Sequence, residues 1–272
     1  MRTRSTWMMY VLLVAVALVF VGPFLILLST ALKPPGQAVY SFPPNLLPIP
    51  PVTTWLEHAW TNIPFPRYLL NSAFYVVVMV PVSLLISALA AYPLARMRFR
   101  GRQLVFGLFL GTMFLPAELM LVPLFLVVSQ LHLTNTYAGV MMPGLFGAFQ
   151  IFLLRQAFAG VPQDLVDAAR IDGAGELRIW WHVMVPQAAP AFATLAIFGF
   201  ISVWNSFVWP LVVLNDSDKY PTALGLAYLN GIFGVDVRTL AAGTVIALVP
   251  IVVFFLLMQR HFLEGMKGAL KG

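Results

Sequence analysis

Long apolar runs alternate with shorter polar ones along this chain. Six of them are long enough for a hydrocarbon core of about 30 Å, which takes about 20 helical residues to cross. They lie near Met8 to Thr30, Leu69 to Leu94, Leu104 to Val128, Tyr137 to Phe158, Ala188 to Leu211 and Leu240 to Met258. The pattern predicts an all-α integral membrane protein with six transmembrane helices, organised as one domain over residues 1–272.

The polar segments between the runs differ in kind. Lys33 to Pro66 is studded with Pro34, Pro35, Pro43, Pro44, Pro48, Pro50, Pro51, Pro64 and Pro66. Proline fixes φ and removes a donor, so extended or turned chain is expected there, with a short helix from Thr53 to Trp60. Such a loop suits a surface for a partner or an ordered lid over neighbouring helices. Arg96, Arg98, Arg100 and Arg102 alternate with spacer residues, a pattern expected of a topology anchor meeting anionic headgroups, with Gly101 supplying the reversal. Inside the runs, Pro23, Pro81, Pro116, Pro123, Pro143 and Pro250 predict helices that bend.

The segment Asp164 to Ala174 is the most sharply punctuated. Pro162 suits the start of a helix, Gln163 to Asp172 can continue it, and Gly173 supplies a left-handed cap. Leu165, Ala168, Ala169 and Asp172 then share one face. After Gly175, Leu177, Trp180, Trp181 and Met184 fall on one face of a second helix, with Arg178 and His182 on the other. This predicts an amphipathic helix along the headgroups, ended by Pro186, with Pro190 opening the fifth span. By spacing alone, the two helices fit either a docking lever or a loop packed on its own protein.

Composition removes the soluble readings. The 272 residues are 60% hydrophobic and 10% charged, and the mean hydropathy is +0.88. Cysteine is absent, so disulfides, thiolate metal sites and a catalytic thiol are excluded. The net charge of +6 follows membrane topology rather than pointing to nucleic acid. Arg2, Arg4, Arg96, Arg98, Arg100, Arg102, Arg155, Arg170, Arg178, Arg260, Lys267 and Lys271 fall on one side of the six spans; Lys33, Arg67, Lys219 and Arg238 fall on the other. The positive-inside bias puts both termini in the cytoplasm and the 164–174 segment with them, between helices 4 and 5. The first run is too long for a signal h-region and lacks a small-residue cleavage pattern, so a retained helix is expected. His58, His132, His182 and His261 are scattered, and no acidic cluster has metal-ligand spacing. No nucleophile sits beside an evident base, so no catalytic residue, bound metal or enzymatic role is expected.

Asp167-Ala168-Ala169, Ile171-Asp172-Gly173-Ala174 and Val183-Met184-Val185-Pro186 resemble the cytoplasmic signature of binding-protein-dependent ABC importer permeases. The Ile171-Asp172 insertion before Gly173 resembles the carbohydrate-uptake subfamily. Leu154-Arg155-Gln156, Trp204 to Leu211 and the tail from Gln259 to Gly272 are similar to the same subfamily, so the likeness covers nearly the whole chain. Two departures stand out: Asp167 replaces the usual glutamate, one methylene shorter, and the tail from Gly265 is about one residue short.

The resemblance implies a permease whose coupling helix, residues 163–173, docks in a groove of an ATP-binding subunit through Asp164, Asp167, Ala168, Ala169, Asp172 and Gly173. Closure of two such subunits would pull on it, with Leu177 to Met184 as the lever. The chain has no GK[ST] phosphate loop, so ATP and Mg belong to the partner subunits and no cofactor is expected here. The implied partners are a second homologous permease, two ATP-binding subunits, an extracytoplasmic solute-binding protein and the lipid membrane, with no nucleic acid. The implied location is a bacterial or archaeal cytoplasmic (inner) membrane.

For the substrate pathway, Glu118 is the one acidic residue inside the six spans and is expected to face the bundle interior, water or a partner. Gln150, Asn205 and Ser206, with Trp204 and Trp209, offer amides and aromatic faces to a hydroxyl-rich ligand. The competing reading places both tryptophans in the outer aromatic belt and bonds Asn205 to a neighbouring helix. The expected cargo is a sugar or sugar-like polyol, with glycerol phosphate as the alternative. Two rival classes are an ion-coupled secondary transporter, for which only Glu118 could serve, and a membrane scaffold that recruits an ATPase.

Overall fold

A computed structural model describes the backbone of residues 2–43, 45–232 and 237–269, with side chains for 7–43, 45–228 and 237–259. Pro44 and the end of the tail at Lys271-Gly272 lie outside the described residues, as do the side chains of Arg2, Arg4, Arg260, His261 and Lys267. All regular structure among the described residues is helical. Three helices are long and apolar enough to cross a membrane, and up to six spans result if each of three bent pairs counts as one.

Two compact units divide the chain. The first comprises Met1–Pro66 and Gly225–Pro250. It holds α1 (Arg2–Leu32) and α2 (Thr54–Thr61), and the first half of α14 (Val237–Ala269). Small side chains at Ala31, Ala59, Ala241 and Ala242 form its buried centre. The proline-rich segment is built against its own unit: the Trp55 indole N–H donates to the Lys33 carbonyl (2.6 Å), Gln37 Nε2 to the Leu47 carbonyl (2.8 Å) and Arg238 to the Gln37 carbonyl (2.6 Å). These bonds satisfy polar groups that proline-broken chain leaves without helical partners.

The second unit comprises Arg67–Leu224 and Ile251–Gly272. Its spine is α3 (Phe65–Arg96), whose small buried residues Ser83, Ser87, Ala88 and Ala91 allow close helix approach. Around it lie α4 (Arg102–Thr112), α5 (Ala117–Gln130), α6 (Tyr137–Met141, continued by a 3₁₀ turn to Leu145), α7 (Ala148–Ala159) and α8 (Gln163–Ile171). Next come α9 (Glu176–Ile179), a π turn (Trp180–Met184), α10 (Val185–Gln187), α11 (Ala189–Trp204) and α12 (Val208–Val213), while α13 (Thr222–Ile232) starts in this unit and belongs to the first from Gly225 on.

Three runs read as single spans are broken. The third splits into α4 and α5, bent by 102°. Pro116 causes this: it cannot donate, and its ring would clash with the Thr112 carbonyl, the last residue of α4. The fourth bends by 42° between Leu145 and Ala148, after Pro143. There a Cβ at Gly144 would stand 2.5 Å from Met79 Cε, so a larger residue would have to displace the flexible end of that methionine. The fifth stops at Trp204, because Pro210 prevents helical bonding back to Ser206, and α12 restarts separately. Pro23, Pro81, Pro123 and Pro250 instead sit inside continuous helices, so proline alone does not mark the breaks.

Candidate functional site

The punctuated segment between α7 and α9 begins where Pro162 holds extended backbone (φ −54°, ψ 135°) and releases the chain into α8. At its far end Gly173 adopts φ +78°. The Gly173 N–H donates to the Arg170 carbonyl (3.0 Å) and the Ala174 N–H to the Ala169 carbonyl (2.9 Å), a Schellman cap that satisfies two terminal acceptors.

One side of α8 is rooted and the other is bare. Val166 is wholly buried, in a core cluster with Phe158, Ile179, Trp180 and Met184. Asp164, Asp167, Ala168, Asp172 and Gly173 are exposed, on the bare side of α8. Ala169 is not on that face: it is half-buried against the cluster. Leu165 (42% exposed) and Ile171 (86% exposed) flank Ala168 and make an apolar stripe at i, i+3, i+6. Ile171 was legible only as a motif letter; the three-residue spacing is the signal that finds it.

Asp167 does not reach outward as a free carboxylate. Its Oδ1 accepts from Gln163 Nε2 (3.0 Å) and stands 3.5 Å from Arg170 Nη1. Glu176, which sequence reasoning passed over, bonds Arg170 (3.0 Å) and accepts from the Tyr92 hydroxyl.

The second helix departs from the predicted amphipathic pattern. Pro186 does not end it but lies inside α10. Its missing N–H accounts for the preceding π turn, which holds more residues than an α turn and rotates the faces. Trp180 and Met184 are therefore buried, whereas Leu177 and Trp181 are exposed.

A concavity of about 410 Å³ lies between α3, α6 and α11–α12. Ser206 and Trp209 line it together with Tyr75, Met79 and Ser202. The Trp209 indole donates to the Gly139 carbonyl (3.2 Å) and the Tyr75 hydroxyl to the Lys219 carbonyl (3.1 Å), which fixes both rings. Tyr75 had no spacing signal beyond being an aromatic residue in a span.

The other residues predicted for a pathway fall elsewhere. Gln150 accepts from the Ser87 hydroxyl (2.9 Å) and bonds α7 to α3. Trp204 is buried and stacked on Phe200 at 5.5 Å. Asn205 donates back to the Ile201 carbonyl (3.0 Å), closing α11 rather than bridging to a neighbouring helix. Glu118 is exposed on the first turn of α5, not turned into the interior of its own unit. A carboxylate there faces unbonded N–H groups, a favourable end of the helix dipole.

Residues 83–268 match the family described as binding-protein-dependent transport system inner membrane component. The chain is 40% identical, over 203 residues, to an arabinooligosaccharides transport system permease protein of Halalkalibacterium halodurans, covering 74% of this chain and 73% of that one. It is 32% identical, over 236 residues, to an sn-glycerol-3-phosphate transport system permease protein of Yersinia pestis, covering 84% of each. The fold matches a chain of a bacterial ABC transporter involved in the import of the acidic polysaccharide alginate, with a TM-score of 0.83 at 26% identity, covering 95% of this chain and 97% of that one. The motif at Asp167–Gly173, the rooted and capped α8 and these likenesses agree: this chain belongs to the family of inner membrane permease components of binding-protein-dependent ABC importers.

Proposed function

We propose that this chain is one of two permease subunits of an ATP-driven importer that carries a neutral sugar or sugar-like polyol across a cytoplasmic membrane. Two ATP-binding subunits supply the hydrolysis, and an extracytoplasmic binding protein delivers the cargo. Both termini are cytoplasmic, as the arginine distribution supports. The observation that carries the reading is α8: buried at Val166, capped at Gly173 and bare along Leu165, Ala168 and Ile171. A helix held so firmly on one side and left apolar on the other suits insertion into a partner's groove.

The 410 Å³ concavity supports a neutral ligand. It is within the size range of small-molecule sites, its wall includes Tyr75, Trp209, Ser202 and Ser206, and no Lys or Arg lines it. A glycerol phosphate cargo would call for cationic partners there. The exposed position of Glu118, alone among acidic residues in the spans, gives little support to ion coupling.

The test is reconstitution of the four-subunit assembly in proteoliposomes with its binding protein. Labelled sugar should accumulate with ATP and stop with vanadate. Accumulation on an ion gradient alone would sink the reading, and ATPase activity that no loaded binding protein stimulates would favour the scaffold. Trp209→Ala should lower sugar uptake while glycerol phosphate is not taken up by either form.

A further inference from the structure

The helix α8 is tied to α3 at two points, and the ties close on each other. Toward the end of α8, Arg170 bonds Glu176 at 3.0 Å, and Glu176 Oε2 accepts from the Tyr92 hydroxyl. At the start of α8, Gln163 Oε1 accepts from Arg96 Nη1 at 2.8 Å. Asp167 completes the ring between Gln163 (3.0 Å) and Arg170 (3.5 Å). Tyr92 and Arg96 are four residues apart on α3 and so share one face, about 6 Å apart along the axis. Arg96 also donates to the carbonyls of Phe158 (2.9 Å) and Val161, gripping the chain that leads into α8.

The single bonds are not strong. Arg170, Asp167 and Glu176 side chains are each about half exposed, and such pairs are weak against water. Their arrangement is what counts. One tie would let α8 swivel about the contact; two ties, at opposite ends of the helix, resist rotation and sliding together. The far end of α3 is pinned too: Asn71 Nδ2 donates to the Asp218 (2.8 Å) and Tyr220 (3.0 Å) carbonyls, and Ser72 Oγ accepts from the Thr222 N–H (2.8 Å).

We propose that the ring of Tyr92, Arg96, Gln163, Asp167, Arg170 and Glu176 is a positioning device that makes α8 and α3 move as one body. Displacement of the docking helix then enters α3 directly, and through α3 reaches the 214–222 loop at the opposite end of the unit. The segment from α9 to α11, bent by 77° between Gln187 and Ala189, is a second route, not the sole one. This inference rests on the docking role of α8 proposed above.

Two measurements on the reconstituted importer test it. The first is sugar imported per ATP hydrolysed. The double variant Tyr92→Phe with Gln163→Leu should assemble with its ATP-binding subunits and lower this ratio roughly threefold or more. An unchanged ratio overturns the proposal. The second uses the absence of native cysteine. With Arg96→Cys and Gln163→Cys, a short bis-maleimide bridge should preserve or raise the ratio relative to the same protein unbridged, because it replaces one tie by a covalent one. Loss of uptake on bridging would mean that α8 must move relative to α3, and overturns the proposal even if the first variant fails to assemble. If the unsubstituted assembly shows no ATP-dependent uptake, the importer reading itself fails, which is a separate result.

Discussion

Val166 and Ile171 stand on opposite sides of one nine-residue helix, the first at 0% exposure and the second at 86%. They are five positions apart, an offset that puts one side chain in the core and the other in open space. One side of α8 is thus seated in the core and the other is left apolar and open.

Ile171→Asp should therefore leave the permease folded and in the membrane but weaken its hold on the ATP-binding subunits. Co-purification from mild detergent checks this. A normal yield of ATP-binding subunits would remove Ile171 from the docking surface.

Val166→Ala acts on the other side. Burial of a valine side chain is worth about 1.5–3 kcal/mol, so the variant should loosen α8 from its seat without altering its exposed stripe. Limited proteolysis of membrane vesicles should show faster cleavage between residues 160 and 175. Unchanged cleavage would mean that the polar ring alone holds the helix.

At Gly173 the constraint is conformational, since nothing lies within 4 Å of an added Cβ but φ is +78°. Gly173→Ala should cost roughly 1–2 kcal/mol, the usual cost of a left-handed L-residue. Gly173→Pro cannot reach this φ and also loses the bond to the Arg170 carbonyl. Uptake should be reduced in the first and abolished in the second, with both proteins present in the membrane.

Glu118→Gln should keep uptake within about twofold at neutral pH. The side chain is exposed at a helix start, where a full charge is worth about 0.3–1 kcal/mol. Complete loss of uptake would make the charge obligatory and revive an ion-coupled reading.

Asp216 gives a pH dependence outside the spans. The hydrogen bond from Lys219, with that from the Asp218 N–H, holds its carboxyl below the usual carboxylate range. A depressed folded value means that its contribution is present above the unfolded pKa and fades as pH falls through the folded one. Protection of the 214–222 loop against protease should thus weaken as the pH falls into the acid range. Asp216→Asn should weaken that protection at neutral pH; equal resistance in the two proteins at pH 7 would show that the Asp216 charge does not help hold the loop.

Much was legible in the sequence because it depends on neighbours along the chain. Runs of apolar residues mark membrane helices whatever they pack against. Pro162 and Gly173 bound α8 through their own φ preferences, and the motif around Asp167 to Gly173 carries the family. The same local rules misplace the second helix, where Pro186 widens a turn instead of ending it and so changes which side chains face inward.

The tertiary structure alone decided which polar groups meet. Tyr92 and Glu176 are 84 residues apart, and Ser87 and Gln150 are 63. Whether such pairs form depends on how each helix is rotated and offset against the next, and that follows from the packing of many side chains at once. Hence the hydrophobic pattern determined that the chain is a bundle of apolar helices interrupted by one sharply punctuated polar segment. Only the packed bundle decided that Gln150 is a brace, that the exposed Asp167 bonds Gln163 and Arg170 of its own helix, and that Ser206 and Trp209 share a wall with Tyr75.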